Sequence, residues 1–158
     1  MSSRVIGNEP GDDLFVVSRQ LLGGKTFTRY KLASKADAHS AIVHGVPYAS
    51  LFCLVDEARG LPEADVVKVL GISSRTLRRQ SALPQKKMPP DVASKAWVLA
   101  ETLARGAEVF GGREEAERWL SRPAMGLDGQ RPIDLLQTLQ GAEIVSDFLT
   151  RLEHGVYT

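Results

Sequence analysis

Val66-Val67-Lys68-Val69-Leu70-Gly71-Ile72-Ser73-Ser74-Arg75-Thr76-Leu77-Arg78-Arg79 is the stretch whose reading decides the fold. Val66, Val67 and Leu70 recur at helical spacing and form one apolar face. Gly71 can take the left-handed backbone that ends a helix. Ser73 or Ser74 then offers a hydroxyl to the orphan N–H groups of a second helix. Leu77 is the one large apolar residue of that second helix, which therefore buries a narrow stripe and leaves the rest wet. Two helices on a tight glycine turn, the second basic, make a helix-turn-helix. In such modules the second helix lies in the DNA major groove with its N-terminal residues at base edges.

The charge pattern agrees. Lys68, Arg75, Arg78, Arg79, Lys86 and Lys87 fall between Val66 and Pro90 with no acid among them, although the whole chain has a formal net charge of only +1. The other 14 Lys and Arg are outnumbered by 19 Asp and Glu. A local positive surplus in a near-neutral protein is the footprint of a nucleic-acid surface. Ser73 or Ser74 is expected to cap the helix. Ser74, Arg75 and Thr76, with Arg78 or Arg79, are expected at base edges, where Arg pairs bidentately with guanine. Lys68, Lys86 and Lys87 are expected at phosphates, which give affinity without sequence information. A solvated helix face would explain three arginines, but not the turn glycine with apolar spacing on both sides. One such module binds weakly, so a homodimer reading two half-sites about one helical turn apart is expected.

Working outward, the same signals predict helices over residues 14–22, 34–44, 47–59, 62–70, 91–110, 113–120, 132–139 and 142–154. Ser34 with Asp37 makes a variant capping box. Gly45, Gly60, Gly71 and the Gly111-Gly112 pair read as stops. No window alternates long enough for a sheet, so the fold is all-α. Residues 1–12 are small and polar and are expected to be disordered. Residues 82–90, with Pro84, Pro89 and Pro90, read as a connector, which divides a DNA-binding domain, 13–89, from a second helical domain, 90–158.

Other functions find little purchase. No apolar run approaches the roughly 20 residues needed to span a bilayer, so no membrane partner is expected. The first ten residues lack a secretory core. Cys53 has no partner for an intrachain disulfide, which fits a cytoplasmic protein; between Phe52 and Leu54 it reads as a plain buried thiol. His39, His44 and His154 lack metal-ligand spacing, and no metal is expected. Asp56-Glu57 and Glu114-Glu115 are adjacent pairs that diverge on a helix, whereas catalytic carboxylates must converge. Gly23-Gly24 lacks the lysine and hydroxyl of a phosphate loop. Ser73 and Ser74 have no nearby histidine, and Trp97 and Trp119 read as core. No catalytic residue or cofactor is expected, and the chain reads as a binding protein rather than an enzyme.

The C-terminal half carries Val109-Phe110-Gly111, Trp119-Leu120, Pro123, Gly129, Pro132-Ile133-Asp134-Leu135-Leu136, Thr138, Gly141, Val145, Leu149 and Gly155-Val156-Tyr157. Read physically, Phe110, Trp119, Leu120, Leu135, Leu136, Val145 and Leu149 form a small helical core, and Gly111, Gly129, Gly141 and Gly155 punctuate its helices. The same pattern strongly resembles the toxin-binding domain of the Xre/MbcA/ParS antitoxin family. Leu21-Leu22-Gly23-Gly24, Gly45-Val46-Pro47 and Leu70-Gly71-Ile72-Ser73 extend the resemblance to that family's Xre-like N-terminal region. The resemblance implies an antitoxin that binds a NAD-consuming RES-domain toxin. It also implies repression of the antitoxin's own operon through operator DNA, by a homodimer within a toxin–antitoxin hetero-oligomer. It further implicates Arg151, Glu153, His154, Val156, Tyr157 and Thr158 in toxin binding. The leading rival is a stand-alone helix-turn-helix regulator whose C-terminal half only dimerises.

Overall fold

The structure is a computed structural model and describes residues 18, 20–23 and 34–155. Within that span the helices are α1 Lys35–His44, α2 Tyr48–Glu57, α3 Glu63–Leu70, α4 Ser74–Gln80, α5 Pro90–Phe110, α6 Arg113–Ser121, α7 Pro132–Leu135 and α8 Leu139–Glu153, with a 3-10 turn at Met125–Leu127. Extended pairing among the described residues is limited to the isolated bridges Pro47–Lys87 and Ala124–Gln130. The fold is all-α, as the apolar spacing predicts. The expected disorder of residues 1–12 and the start of the 14–22 helix lie outside the described residues. Ser18, Gln20 and Leu21 are helical, and Leu21 and Leu22 are buried in the core.

Local chemistry sets most boundaries. Ser34 Oγ accepts from the Asp37 N–H at 3.2 Å and starts α1. Gly71, at φ 69°, ends α3 in the left-handed region. Ser73 Oγ accepts from the Thr76 N–H at 3.0 Å and starts α4. Each serine cap satisfies a helix-end N–H that would otherwise go unpaired, and replacing it by Ala typically costs about 1 kcal/mol.

The 21-residue α5 is the spine. Its stripe of Val92, Ala96, Leu99, Ala100 and Leu103 is buried. Along its length it meets α1, α2 and α3 on one side and α6 and α8 on the other. The buried apolar side chains form one cluster that runs from Leu21 through Leu54, Val66 and Leu99 to Leu149. The proline-bearing segment before α5 is docked onto the body. The Met88 N–H donates to the Val46 carbonyl at 2.7 Å, the Tyr48 N–H to the Lys86 carbonyl at 2.9 Å and the Ala49 N–H to the Pro84 carbonyl at 2.8 Å. Its carbonyls thus satisfy the first N–H groups of α2, whose N-cap Pro47 has no side chain to do so.

Two adjoining helix ends differ most from expectation, and α2 stops at Glu57, two residues short of its expected end. The helix expected over 132–139 ends at Leu135, and the last helix starts at Leu139 rather than Ala142. Thr138 Oγ1 accepts from the Gly141 N–H at 3.0 Å, a cap that opens α8 three residues early. Gly141 therefore does not punctuate a helix. It lies buried inside one, against the Leu135 backbone, where a Cβ would overlap the carbonyl oxygen.

Candidate functional site

Helices α3 and α4 meet through Gly71-Ile72-Ser73 and hold each other with Val66, Val67, Leu70 and Leu77, all buried. Leu77 and Gln80 form the buried side of α4. Arg75, Arg78 and Arg79, at i, i+3 and i+4, share its exposed side. Ser73 is committed to capping: its Oγ also donates to Thr76 Oγ1 at 3.0 Å. Ser74 and Thr76 are half-buried.

The lack of acids in this stretch of sequence does not extend to three dimensions. Arg78 lies 3.8 Å from Glu63, and Lys68 lies 3.5 Å from Asp134. Lys87 Nζ donates to the His44 carbonyl at 3.1 Å, and its aliphatic stem covers Gly45. Arg75, Arg79 and Lys86 are exposed and have no ion pair among the described residues. The Arg78 and Lys68 pairs are exposed and worth little each, so both side chains stay available to a phosphate.

A stronger charge cluster ties α3 to α7. Arg131 Nη1 and Nη2 donate to the two Asp65 carboxylate oxygens at 3.2 and 3.0 Å. Its Nε and Nη2 donate to Asp134 at 2.9 Å each. These hydrogen bonds hold the Asp134 carboxyl below the usual carboxylate range and keep the Arg131 guanidinium still more firmly protonated. Bidentate arginine–carboxylate geometry adds orientation to strength. On the neighbouring flank, Glu57 at the end of α2 pairs with Arg113 at the start of α6. Glu117 of α6 is buried against Gly60, and burial raises its carboxyl above the ordinary range despite a hydrogen bond from the Gly60 backbone.

The three described residues of the C-terminal group differ from one another. The Glu153 carboxylate is gripped by Arg105, at 3.1 and 3.2 Å. Arg105 also reaches Ser146 Oγ at 2.9 Å and Thr150 Oγ1 at 2.8 Å, which binds α5 to α8. His154 Nδ1 sits 2.8 Å from the Thr150 carbonyl, so that nitrogen carries the proton. Arg151 points outward, its guanidinium 5.8 Å from the centre of the Phe148 ring. Val156, Tyr157 and Thr158 lie outside the described residues.

The residues set aside as non-catalytic fall as follows. Glu57 pairs with Arg113, and both Glu114 and Glu115 pair with Arg118, so these exposed acids are ion-paired rather than merely solvated. Cys53 is half-buried rather than fully buried. Burial, with Asp56 and Glu57 nearby, pushes its thiol up, away from the reactive thiolate. Trp119 is partly exposed and belongs to a row of rings. Its centroid is 5.0 Å from Phe110, and it stacks nearly parallel on Phe148 at 5.9 Å.

Residues 105–155 match the model of the antitoxin Xre/MbcA/ParS C-terminal toxin-binding domain. A protein named antitoxin Xre from Yersinia enterocolitica is 32% identical over 99 residues, 62% of this chain and 66% of that protein. Residues 105–155 are thus a toxin-binding domain of the Xre/MbcA/ParS antitoxin family. An antitoxin Xre from Pseudomonas putida shares 29% identity with this chain over 79% of the chain and 76% of its own length. A Prs ADP-ribosylating antitoxin from a Sphingobium strain shares 26% over 79% and 83%. The match to the Yersinia protein spans just under two thirds of that relative's length. The family match begins at Arg105, the residue that anchors α5 to α8, and takes in the row of rings.

Proposed function

We propose that this chain is the antitoxin of a toxin–antitoxin pair, with its work divided near Pro89. Residues 90–158 bind and inhibit a RES-domain toxin that consumes NAD. The α3–turn–α4 unit in residues 13–89 binds operator DNA and represses the chain's own operon. The reading makes the chain a cytoplasmic binding protein and not an enzyme. It acts as a homodimer within a toxin–antitoxin assembly.

The observation that carries this reading is the match of residues 105–155 to the toxin-binding domain model. The DNA half is supported by the exposed Arg75, Arg78 and Arg79 side of α4, beside a glycine turn in left-handed backbone. A relative named for ADP-ribosylation favours a toxin that draws on NAD, since NAD is the usual donor of that group. In the DNA complex Ser74, Arg75, Thr76, Arg78 and Arg79 face the groove. Ser73 holds the helix start, and Lys68, Lys86 and Lys87 contact phosphates.

The test uses the full chain and the product of the reading frame beside its gene, which this reading expects to be a RES-domain protein. Co-expression should restore growth to cells stalled by that protein, and the two should co-purify. Arg75→Ala with Arg78→Ala should lower affinity for the promoter fragment by about 100-fold or more while leaving neutralisation intact. Failure to co-purify rejects the antitoxin reading. Loss of neutralisation together with DNA binding rejects the division of labour.

A further inference from the structure

Between Arg105 and Arg151 the family-matched segment holds six arginines. Four are paired: Arg105 with Glu153, Arg113 with Glu57, Arg118 with Glu114 and Glu115, and Arg131 with Asp65 and Asp134. Arg122 and Arg151 are exposed and have no carboxylate within 4.0 Å among the described residues. Both flank the row Phe110–Trp119–Phe148. Arg122 lines a groove with Phe110, Trp119, Pro123 and the mutually paired Glu115 and Arg118, and Arg151 lies over Phe148.

The row is only partly covered. Phe110, Trp119 and Phe148 are each half-buried. Ile144 is 49% exposed and lies one helical turn before Phe148 on the same side of α8. Met125 is 92% exposed and neighbours Gly126, which sits so close to the Phe148 ring that a Cβ there would overlap it. Stacked aromatics, an exposed methionine and unpaired arginines at the edge are the composition of a protein interface.

We infer that the toxin docks on this strip, placing an apolar side chain in the Phe110–Trp119 groove and carboxylates on Arg122 and Arg151. The inference rests on the antitoxin reading and gives it a surface on the folded domain, separate from the tail beyond Gly155. Two observations favour a toxin as the occupant. The whole strip lies inside the matched toxin-binding segment. The two cations that flank the rings, Arg122 and Arg151, have no carboxylate within 4.0 Å among the described residues although Asp147 is exposed on the same helix as Arg151, so they call for carboxylates on the partner. The other exposed apolar site of α8, Leu139, borders a groove with Val98, Glu101 and Glu143 whose arginine, Arg105, is already paired with Glu153.

Titration calorimetry with the product of the adjacent reading frame, the toxin this reading expects, tests the inference. Arg122→Glu with Arg151→Glu should raise Kd about 30-fold or more, and Met125→Asp about tenfold. Leu139→Asp should leave Kd within about twofold. All these side chains are exposed, so thermal melts should match wild type; the gentler pair Arg122→Gln with Arg151→Gln should give a smaller loss in the same direction. Wild-type affinity in both arginine pairs overturns the docking surface alone. So does a loss confined to Leu139→Asp, or strip variants that change only self-association. A wild-type chain that does not bind the toxin at all overturns the antitoxin reading and this surface with it.

Discussion

Replacing Gly141 by alanine sets two effects against each other. Glycine inside a helix is about 1 kcal/mol less favourable than alanine, so propensity alone makes the variant more stable. Packing opposes this. A Cβ at Gly141 would overlap the Leu135 carbonyl oxygen and lie 2.8 Å from its carbon and 3.0 Å from Thr138 Oγ1. The obstacle is backbone, so no rotamer change relieves it. Either the turn between α7 and α8 opens or the Thr138 cap is lost. Overpacking costs about 1–3 kcal/mol and a lost threonine cap about 1 kcal/mol. Set against the propensity gain, the expected net loss is about 2 kcal/mol. For a chain of this size that lowers Tm by roughly 4–8 °C. Thermal and urea melts would measure it, with the urea m-value unchanged. Thr138→Ala alone should cost about 1 kcal/mol, and the double variant less than the sum, because the clash acts partly through the cap. A Gly141→Ala protein as stable as wild type, or more so, would refute the close approach as the reason for glycine there.

Other outcomes follow from the same geometry. Leu77→Ala removes the large apolar anchor of α4, so it should cost about 2–5 kcal/mol and weaken promoter binding without touching a basic residue; full DNA affinity would mean α4 does not need its seat. Asp134 has a lowered pKa because of Arg131, so its contribution is present above the ordinary carboxylate range and is lost as pH falls through the folded value. Arg131→Gln should therefore shift acid unfolding, followed by circular dichroism, to higher pH. Glu117 has the opposite sign: its raised pKa lets the folded state hold a proton more readily, so its contribution fades as pH rises. Glu117→Gln should stabilise the chain at pH 7 but not at pH 3, compared by urea midpoints, because the amide oxygen still accepts from Gly60. Removing residues 156–158 should weaken toxin inhibition at least tenfold in a growth-rescue titration; undiminished inhibition would place the contact wholly on the folded domain.

The helices were legible because their causes are local. Ser34, Ser73, Gly45, Gly71 and the apolar spacing of Val66, Val67 and Leu70 act within one or two turns, and the structure follows them. Apolar residues mark their own burial, but polar ones do not. Gln80 is 4% exposed and Glu117 is 7% exposed, and nothing in their immediate sequence announced either. The α4 arginine face was read from charge, whereas Phe110 and Trp119 were read as core. Spacing shows that rings lie on the inner side of a helix, but not how far a neighbouring helix covers them.

By itself the sequence determined the helix count beyond residue 34, most helix ends, the basic side of α4 and the resemblance that named the family. Tertiary structure alone decided which charges remain available. Asp65 and Arg131 stand 66 residues apart, as do Lys68 and Asp134, and Arg105 and Glu153 stand 48 apart. Coulomb attraction and hydrogen bonding depend on separation in space, which the chain acquires only when α5 brings the two halves together.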